Sequence, residues 1–205
     1  MPLVKDIVRD ENKGEAFVEV ESDTYHITMS DLLKSSIAVG DELDGEKLGF
    51  LGFADSKLSG IKKAFVFLSY GDMSERKLRT KLEKSFEPDV VSAVVELMIA
   101  KRYIDDEALS IRMAEAYQRS KLYGKAKIRS ELFMKGFSAE NISNALSELD
   151  ESVYEESILT LLEKKCDDKA VLADFNAKKK LSAYLFRLGF SYDEIVNAME
   201  RFERE

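Results

Sequence analysis

The side chains best suited to bind a partner are lysines and arginines that recur at equivalent places in three related segments. Lys77, Lys127 and Lys180 each precede a shared leucine or isoleucine, and Arg79 and Arg129 follow it in the first two segments. Rows of cationic side chains bind phosphates along a nucleic acid or carboxylates along an acidic protein groove. The alternative is that these side chains only form the solvent-exposed face of a helix and bind no partner. The residues that we assign to this basic stripe are Lys77, Arg79, Lys121, Lys125, Lys127, Arg129, Lys178, Lys179 and Lys180.

The sequence offers few residues for catalysis. It contains neither of the phosphate-binding glycine patterns G-x-x-x-x-G-K-[ST] and G-x-G-x-x-G. Its single histidine, His26, excludes an H-E-x-x-H zinc site and disfavours a Ser-His-Asp triad. Its single cysteine, Cys166, excludes an internal disulfide and a zinc site made of several cysteines. We therefore predict a protein that is not an enzyme and uses no cofactor.

One acidic cluster, "YIDDEAL", invites comparison with a metal site. A helix N-terminus explains it better, because Asp105 is a good N-cap residue and Asp106 and Glu107 would meet the positive end of the helix dipole. The sequence has no second acidic cluster with the spacing of metal ligands. We predict capping here, and no metal site.

The basic residues fall within a repeated sequence. Residues 123–142, "YGKAKIRSELFMKGFSAENI", recur 53 residues later as "NAKKKLSAYLFRLGFSYDEI", and "SERKLRTKLEKSF" is a weaker copy that lies 50 to 51 residues earlier. The matched apolar residues are Leu78, Ile128 and Leu181; Leu82, Leu132 and Leu185; Phe86, Phe137 and Phe190; and Val91, Ile142 and Ile195. We interpret them as the core that stacked repeats bury against one another.

Helical spacing extends from about residue 56 to the C-terminus. The predicted helices are 57–70, 74–85, 88–100, 105–121, 124–135, 139–149, 151–165, 170–188 and 191–204. Ser74, Asp105, Ser138 and Ser191 mark helix starts, and Gly71, Gly136 and Gly189 mark helix ends. We expect left-handed backbone at Gly136 and Gly189. Ser85 takes this place in the first copy, so its turn should differ.

Residues 1–55 have a different character. They contain 5 Lys/Arg and 13 Asp/Glu, which accounts for the net charge of −8 of the whole chain. The alternation in "EAFVEVES" predicts a half-exposed strand, with Ala16, Val18 and Val20 on one face. "YHIT" continues this pattern, Ser30 before "DLLKSS" is a predicted N-cap, and "VGDELDGEKLG" is interpreted as turns.

The fold class that follows is mainly α: an elongated array of three tandem three-helix repeats, preceded by a small β-rich N-terminal domain. The predicted boundaries are 1–55 for the acidic β-rich domain and 56–104, 105–150 and 151–205 for the repeats. No apolar run reaches the roughly 18 residues of a membrane helix, and the first residues lack the apolar core of a signal peptide. We expect a cytoplasmic monomer.

The order "SERKL", "YIDDEAL" and "GKAKIRSELFMKGFSAENI" resembles the bacterial RecX regulatory proteins, whose pattern is S-E-x-E-L, Y-L-D-D-x-x-F-A and G-x-x-R-I-x-x-E-L-x-x-K-G-I/F. The resemblance covers residues 60–205, and the N-terminal part is similar to a small extension found in some members. Lys77 stands where the family usually has glutamate, and Lys127 where arginine is common. Leu109 and Ser110 replace a Phe-Ala pair.

The resemblance implies a modulator of the RecA recombinase, usually an inhibitor. Members of the family bind RecA and its filament on DNA, lie along the filament groove, and suppress ATP hydrolysis and strand exchange. In this chain the basic stripe would face the partner, an assignment that rests on charge and repeat position. Two alternatives remain: a helical-repeat DNA-binding module that acts independently of RecA, and a plain structural scaffold.

Overall fold

The computed structural model describes residues 1–166 and 174–204 of the chain. Three strands near the N-terminus precede a helical remainder, and this confirms the mainly α fold class with a small β-rich N-terminal part. The strands are β1 (Val4–Asp10), β2 (Glu15–Val20) and β3 (Asp23–Thr28). The helices are α1 (Met29–Ser35), α2 (Gly45–Ser69), α3 (Glu75–Leu82), α4 (Pro88–Ala100), α5 (Asp106–Lys121), α6 (Lys125–Lys135), α7 (Ala139–Ser147), α8 (Ser152–Glu163), α9 (Phe175–Arg187) and α10 (Tyr192–Arg204).

The described residues divide into two compact units. The first is Met1–Asp72 with Lys77–Ile104, and the second is Met73–Arg76 with Asp105–Glu205. Most predicted helices agree with the observed ones within a few residues, although α3 ends at Leu82 rather than near residue 85. The predicted helix 170–188 corresponds to α9, and its residues 170–173 lie outside the described part of the chain.

The three strands form an antiparallel sheet in the order β1-β2-β3. The alternation predicted for β2 is confirmed, since Ala16, Val18 and Val20 are buried. Ile27 of β3 is also buried, and Tyr25 packs against the same core. Apolar residues from α1, α2 and the loop between them complete this core: Leu32, Ile37, Leu43, Leu51 and Ala54.

One prediction for this region is wrong, and a second is wrong in part. The N-cap of α1 is Thr28, whose side-chain oxygen accepts a hydrogen bond from the Asp31 N–H at 3.0 Å, so Ser30 lies inside the helix. Thr28 ends β3 with extended backbone, which is the conformation that an N-cap needs. The segment interpreted as turns, residues 39–49, forms a turn at Val39 and Gly40 but is helical from residue 45, where α2 starts. Leu51 and Ala54 bury against the sheet, and this packing outweighs the poor helix propensity of glycine.

The helix starts and ends of the second unit follow the sequence closely. Asp105 accepts from the Ala108 N–H at 2.9 Å, and Ser138 accepts from the Asn141 N–H at 3.1 Å. Ser191 and Glu194 form a reciprocal capping box at the start of α10. Gly136 and Gly189 have φ values of +95° and +91°, as predicted, and Ser85 is not among the described residues with positive φ. Local sequence therefore determines these helix ends.

Asp106 has a role that its position in the first turn of α5 does not reveal. Its Oδ1 accepts a hydrogen bond at 2.9 Å from the backbone N–H of Glu75, the first residue of α3. Burial raises the pKa of the Asp106 carboxyl above its usual value, and the nearby Glu75 and Asp105 charges add to this effect. Asp106 thus satisfies a donor on another helix at some cost in desolvation.

We expect replacement of Asp106 by asparagine to alter the pH dependence of stability. A carboxyl whose pKa is raised by folding favours the folded state most when protonated, and this contribution is lost as pH rises through the folded pKa. As pH rises from below the usual aspartate pKa of 3.8 through the raised pKa of the folded state, the wild type should therefore lose stability relative to Asp106→Asn, which keeps an oxygen acceptor for Glu75. Urea unfolding at several pH values measures the difference. A constant difference across this range would contradict the prediction.

The matched apolar residues form the core of the second unit. Ile128, Leu132, Phe137 and Ile142 are buried in one cluster, together with Leu185, Phe190 and Ile195 from the next repeat. Leu181 is half-buried and packs against the same cluster. The interpretation of these positions as core is confirmed.

In the second unit, the N-terminus of α6 packs directly on the C-terminal turn of α9. The Gly124 N–H donates to the Leu188 carbonyl at 2.8 Å, and the Ala126 N–H donates to the Gly189 carbonyl at 3.2 Å. A Cβ on Gly124 would lie 2.3 Å from the Gly189 oxygen, and one on Gly189 would lie 2.2 Å from the Lys127 nitrogen. Only glycine permits this approach at either position.

An equivalent contact recurs one repeat earlier. The Ser74 hydroxyl donates to the Lys135 carbonyl at 2.6 Å, and a Cβ on Gly136 would lie 3.0 Å from the Ser74 hydroxyl oxygen. The segment just before α3 therefore contacts the end of α6. In the same way, the segment just before α6 contacts the end of α9. The repeated glycine marks the contact between successive repeats.

Candidate functional site

Lysines occupy the first turn of α6, where the helix dipole favours acids, and follow the first three residues of α9. Lys125 and Lys127 are the first and third residues of α6, and Lys178–Lys180 lie in the first two turns of α9. Neither α6 nor α9 has an acid in its first turn, whereas α4, α5, α7 and α10 each have at least one there. A cation at this end costs about 0.3–1 kcal/mol at an exposed site. Residues that break such a local rule tend to mark functional positions.

Two backbone N–H groups at the start of α6 are not available to a ligand. Free N–H groups at a helix N-terminus commonly bind phosphate. Here the Gly124 and Ala126 N–H groups already donate to carbonyls at the end of α9. An anionic partner at this place would be held by the side chains of the basic stripe.

Three lysines of the stripe form ion pairs. Lys125 pairs with Glu151, Lys127 with Glu131 at 2.9 Å, and Lys178 with Glu203 at 2.7 Å. Their side chains are only half-exposed. The hydrogen bond to Glu131 and the charge of that carboxylate raise the pKa of Lys127. The pairs partly neutralise these lysines and hold them in defined positions.

Aromatic rings add to this positioning on α6. The Lys125 ammonium lies 5.9 Å from the centre of the Tyr154 ring, and that of Lys127 lies 5.8 Å from the Tyr123 ring. Both separations are within the range of a cation–π contact. An ion pair and a ring therefore orient each of the two lysines.

Four residues of the stripe in the second unit are exposed cations. Lys121 ends α5, Arg129 lies on α6, and Lys179 and Lys180 lie on α9. Within residues 1–166 and 174–204 no salt bridge involves any of them. They offer the second unit its most accessible positive charge.

The two stripe residues of the first unit lie on α3. Lys77 is exposed, and Arg79 is half-buried, with its guanidinium donating to the Ser92 hydroxyl of α4 at 3.3 Å. Lys81 of the same helix lies over the Phe67 ring at 4.6 Å. The assignment of all nine residues to one binding surface stays a prediction.

The aromatic residues near the stripe divide into two groups. Tyr117, Tyr123 and Tyr184 are half-buried against the core, whereas Phe133 is 61% exposed. Sequence reasoning missed two further exposed rings, Phe186 at 67% and Tyr192 at 74%. Phe186 occupies the repeat position of Phe133, so the 53-residue offset was a signal in the sequence that could have pointed to it.

The residues considered for other chemistry have structural roles. His26 stacks on Phe17 with ring centres 4.1 Å apart, and its Nε2 lies 2.6 Å from a Glu15 carboxylate oxygen. Among the described residues, no group of three or more His, Cys, Asp or Glu side chains is arranged to hold a metal ion. Cys166 is buried. None of the helices in this part of the chain is long and apolar enough to cross a membrane. The feature that remains is the set of lysines and arginines in the basic stripe.

Comparisons with known proteins agree on one family. Residues 105–146 match the family described as "RecX, second three-helix domain", and residues 153–199 match "RecX, third three-helix domain". The "Regulatory protein RecX" of Clostridioides difficile (strain 630) is 26% identical over 162 residues, covering 79% of this chain and 76% of the relative. That of Bacillus licheniformis is 25% identical over 209 residues, covering 100% of this chain and 79% of the relative.

Solved structures show the same fold. A crystal structure of regulatory protein RecX superposes with a TM-score of 0.80 at 20% identity, covering 98% of this chain and 100% of that one. The RecX structure from Lactobacillus salivarius gives a TM-score of 0.67 at 23% identity, covering 74% of this chain and 99% of that one.

Proposed function

Since the chain belongs to the RecX family of regulatory proteins, we propose that it binds the RecA recombinase and its filament on DNA, and inhibits ATP hydrolysis, strand exchange and filament growth. It would act by occupying a surface, without chemistry of its own. The observation that carries this proposal is the placement of Lys125 and Lys127 in the first turn of α6, against the helix dipole, with three further lysines in the first two turns of α9. A function that needs positive charge there accounts for the loss of helix stability.

The inhibitory mechanism is electrostatic and steric. Paired lysines such as Lys125 and Lys127 hold a defined geometry, and exposed cations such as Arg129 and Lys180 meet phosphates or acidic side chains. Release of counterions by such contacts makes the affinity sensitive to salt. A protein bound in this way blocks conformational changes of the filament that ATP hydrolysis and strand exchange require.

A double charge reversal tests this surface. We expect Arg129→Glu with Lys180→Glu to raise the concentration needed for half-inhibition of the DNA-stimulated RecA ATPase by at least about tenfold, because attraction becomes repulsion at two exposed positions. Strand exchange should recover in parallel. The matched control is Lys5→Glu with Lys34→Glu, which makes the same change in net charge at two exposed lysines outside the stripe. Its inhibition should match that of the wild type.

Two outcomes would contradict the proposal. One is a wild-type protein that leaves both assays unchanged at a one-to-one ratio with RecA. The other is a double reversal in the stripe that inhibits as well as the control variant does.

A second candidate function is DNA binding without the recombinase, and the exposed cations of α6 and α9 favour it. The excess acidity of residues 1–55 opposes tight binding to naked DNA. Fluorescence titration of labelled DNA at several salt concentrations distinguishes the two candidates. Direct binding requires a steep salt dependence, with a slope that falls by about one for each phosphate contact removed.

A further inference from the structure

Helices α9 and α10 form an open groove of about 800 Å³ on the surface of the second unit. Two exposed rings, Phe186 and Tyr192, lie along it, and Ala183 and Ile195 contribute further apolar surface. Exposed apolar patches rimmed by polar or charged residues often mark sites that bind a partner.

The repeats show that the fold does not require this aromatic pair. The positions equivalent to Phe186 and Tyr192 are Phe133 and Ala139 in the second repeat. In the first repeat they are Glu83 and Pro88. All three repeats form the same helices, so the two rings of the third repeat serve something other than stacking of the array.

The charges of the groove restrict what it can bind. Lys180 and Arg187 line it, and no acid is among the described residues that do so. The uncharged polar groups of the lining are the hydroxyls of Ser182 and Tyr192, and that of Ser182 already donates to the Lys178 carbonyl at 2.9 Å. An occupant should therefore be negatively charged around an apolar centre.

We propose that the groove binds a short acidic protein segment, with one or two apolar side chains seated between Phe186 and Tyr192. Its carboxylates would face Lys180 and Arg187. Bases of single-stranded nucleic acid would also stack on Phe186 and Tyr192, but Ala183 and Ile195 add aliphatic surface, which suits an apolar side chain better than the polar edge of a base. Lys180 also belongs to the basic stripe, so the test below uses Phe186 and Arg187, which lie outside the stripe and separate this inference from the proposed function.

A labelled peptide tests the groove directly. The probe is a fluorescein-labelled peptide of about twelve residues, with a Leu-Phe pair flanked by aspartates and glutamates. Titration with the full chain should give saturable binding by anisotropy. Phe186→Ala and Arg187→Glu should each weaken it by about tenfold, since buried anchors and desolvated charges dominate such contacts. Phe133→Ala is the matched control, because it also removes an exposed ring. It should leave the affinity within about twofold.

Three comparisons can overturn the proposal. A peptide with alanines in place of Leu-Phe, or with lysines in place of the acids, must bind at least about tenfold more weakly. Equal binding of either peptide contradicts the proposal. So does the absence of detectable peptide binding, and so does tighter binding of a dT12 oligonucleotide that Phe186→Ala abolishes. Circular dichroism melts of each variant test whether it is folded. Because Phe186 is exposed, we expect Phe186→Ala to fold.

Discussion

Replacing Leu132 by alanine should lower the free energy of unfolding by about 2–5 kcal/mol. Leu132 is fully buried among residues of two successive repeats, including Ile128, Phe137 and Leu185. Truncation removes the transfer free energy of its side chain and leaves a cavity that the surrounding helices can only partly fill. The same substitution tests the repeat alignment, because Leu132 occupies the position shared with Leu82 and Leu185.

The matched control lies on the same helix. Met134 is 78% exposed, so Met134→Ala should change stability by no more than about 0.5 kcal/mol. Urea unfolding followed by circular dichroism measures both variants. A cost below about 1 kcal/mol for Leu132→Ala would show that the aligned positions are not the shared core.

The second large effect is expected at Gly124. An alanine Cβ at this position would lie 2.3 Å from the Gly189 carbonyl oxygen and 2.5 Å from the Phe190 nitrogen. Both obstacles are backbone atoms, so no flexible side chain can move aside. We expect Gly124→Ala to destabilise the protein by about 3 kcal/mol, at the upper end of ordinary overpacking. Urea unfolding measures it.

Two controls separate this contact from other properties of glycine. Gly45→Ala also lies at a helix start and meets nothing within 4 Å, so it should be close to neutral. Gly189→Ala and Gly40→Ala share nearly the same backbone strain, with φ of +91° and +90°, but only Gly189 is crowded. Gly189→Ala should therefore cost more than Gly40→Ala. Equal costs would show that the left-handed backbone, and not the contact between repeats, is the reason that position 189 requires glycine.

Sequence reasoning succeeded where a structure depends on neighbouring residues. Asp105, Ser138 and Ser191 cap their helices as predicted, because an N-cap involves side chains and N–H groups within four residues. It failed at the start of α2, where Leu51 packs on a sheet formed by residues far away in the chain. Propensity and turn residues gave no sign of that contact.

The candidate site divides in the same way. The recurrence of Lys77, Lys127 and Lys180 is visible in the sequence, as is the excess of positive charge on the middle helix of each repeat. The sequence does not reveal which cations are paired. Glu151 and Glu203, the partners of Lys125 and Lys178, come from α8 and α10, each at least 25 residues away. The groove with Phe186 and Tyr192 likewise requires two helices to meet.

The sequence by itself determined the helical repeats, their caps and the core positions, because each depends on periodicity or on short-range hydrogen bonds. It also indicated left-handed backbone at Gly189, since a helix end of this type favours glycine. Only the tertiary structure decided that the start of α6 packs on Gly189. The physical reason is that a contact between elements depends on distances in space, and Gly189 meets Gly124 only when both repeats have folded.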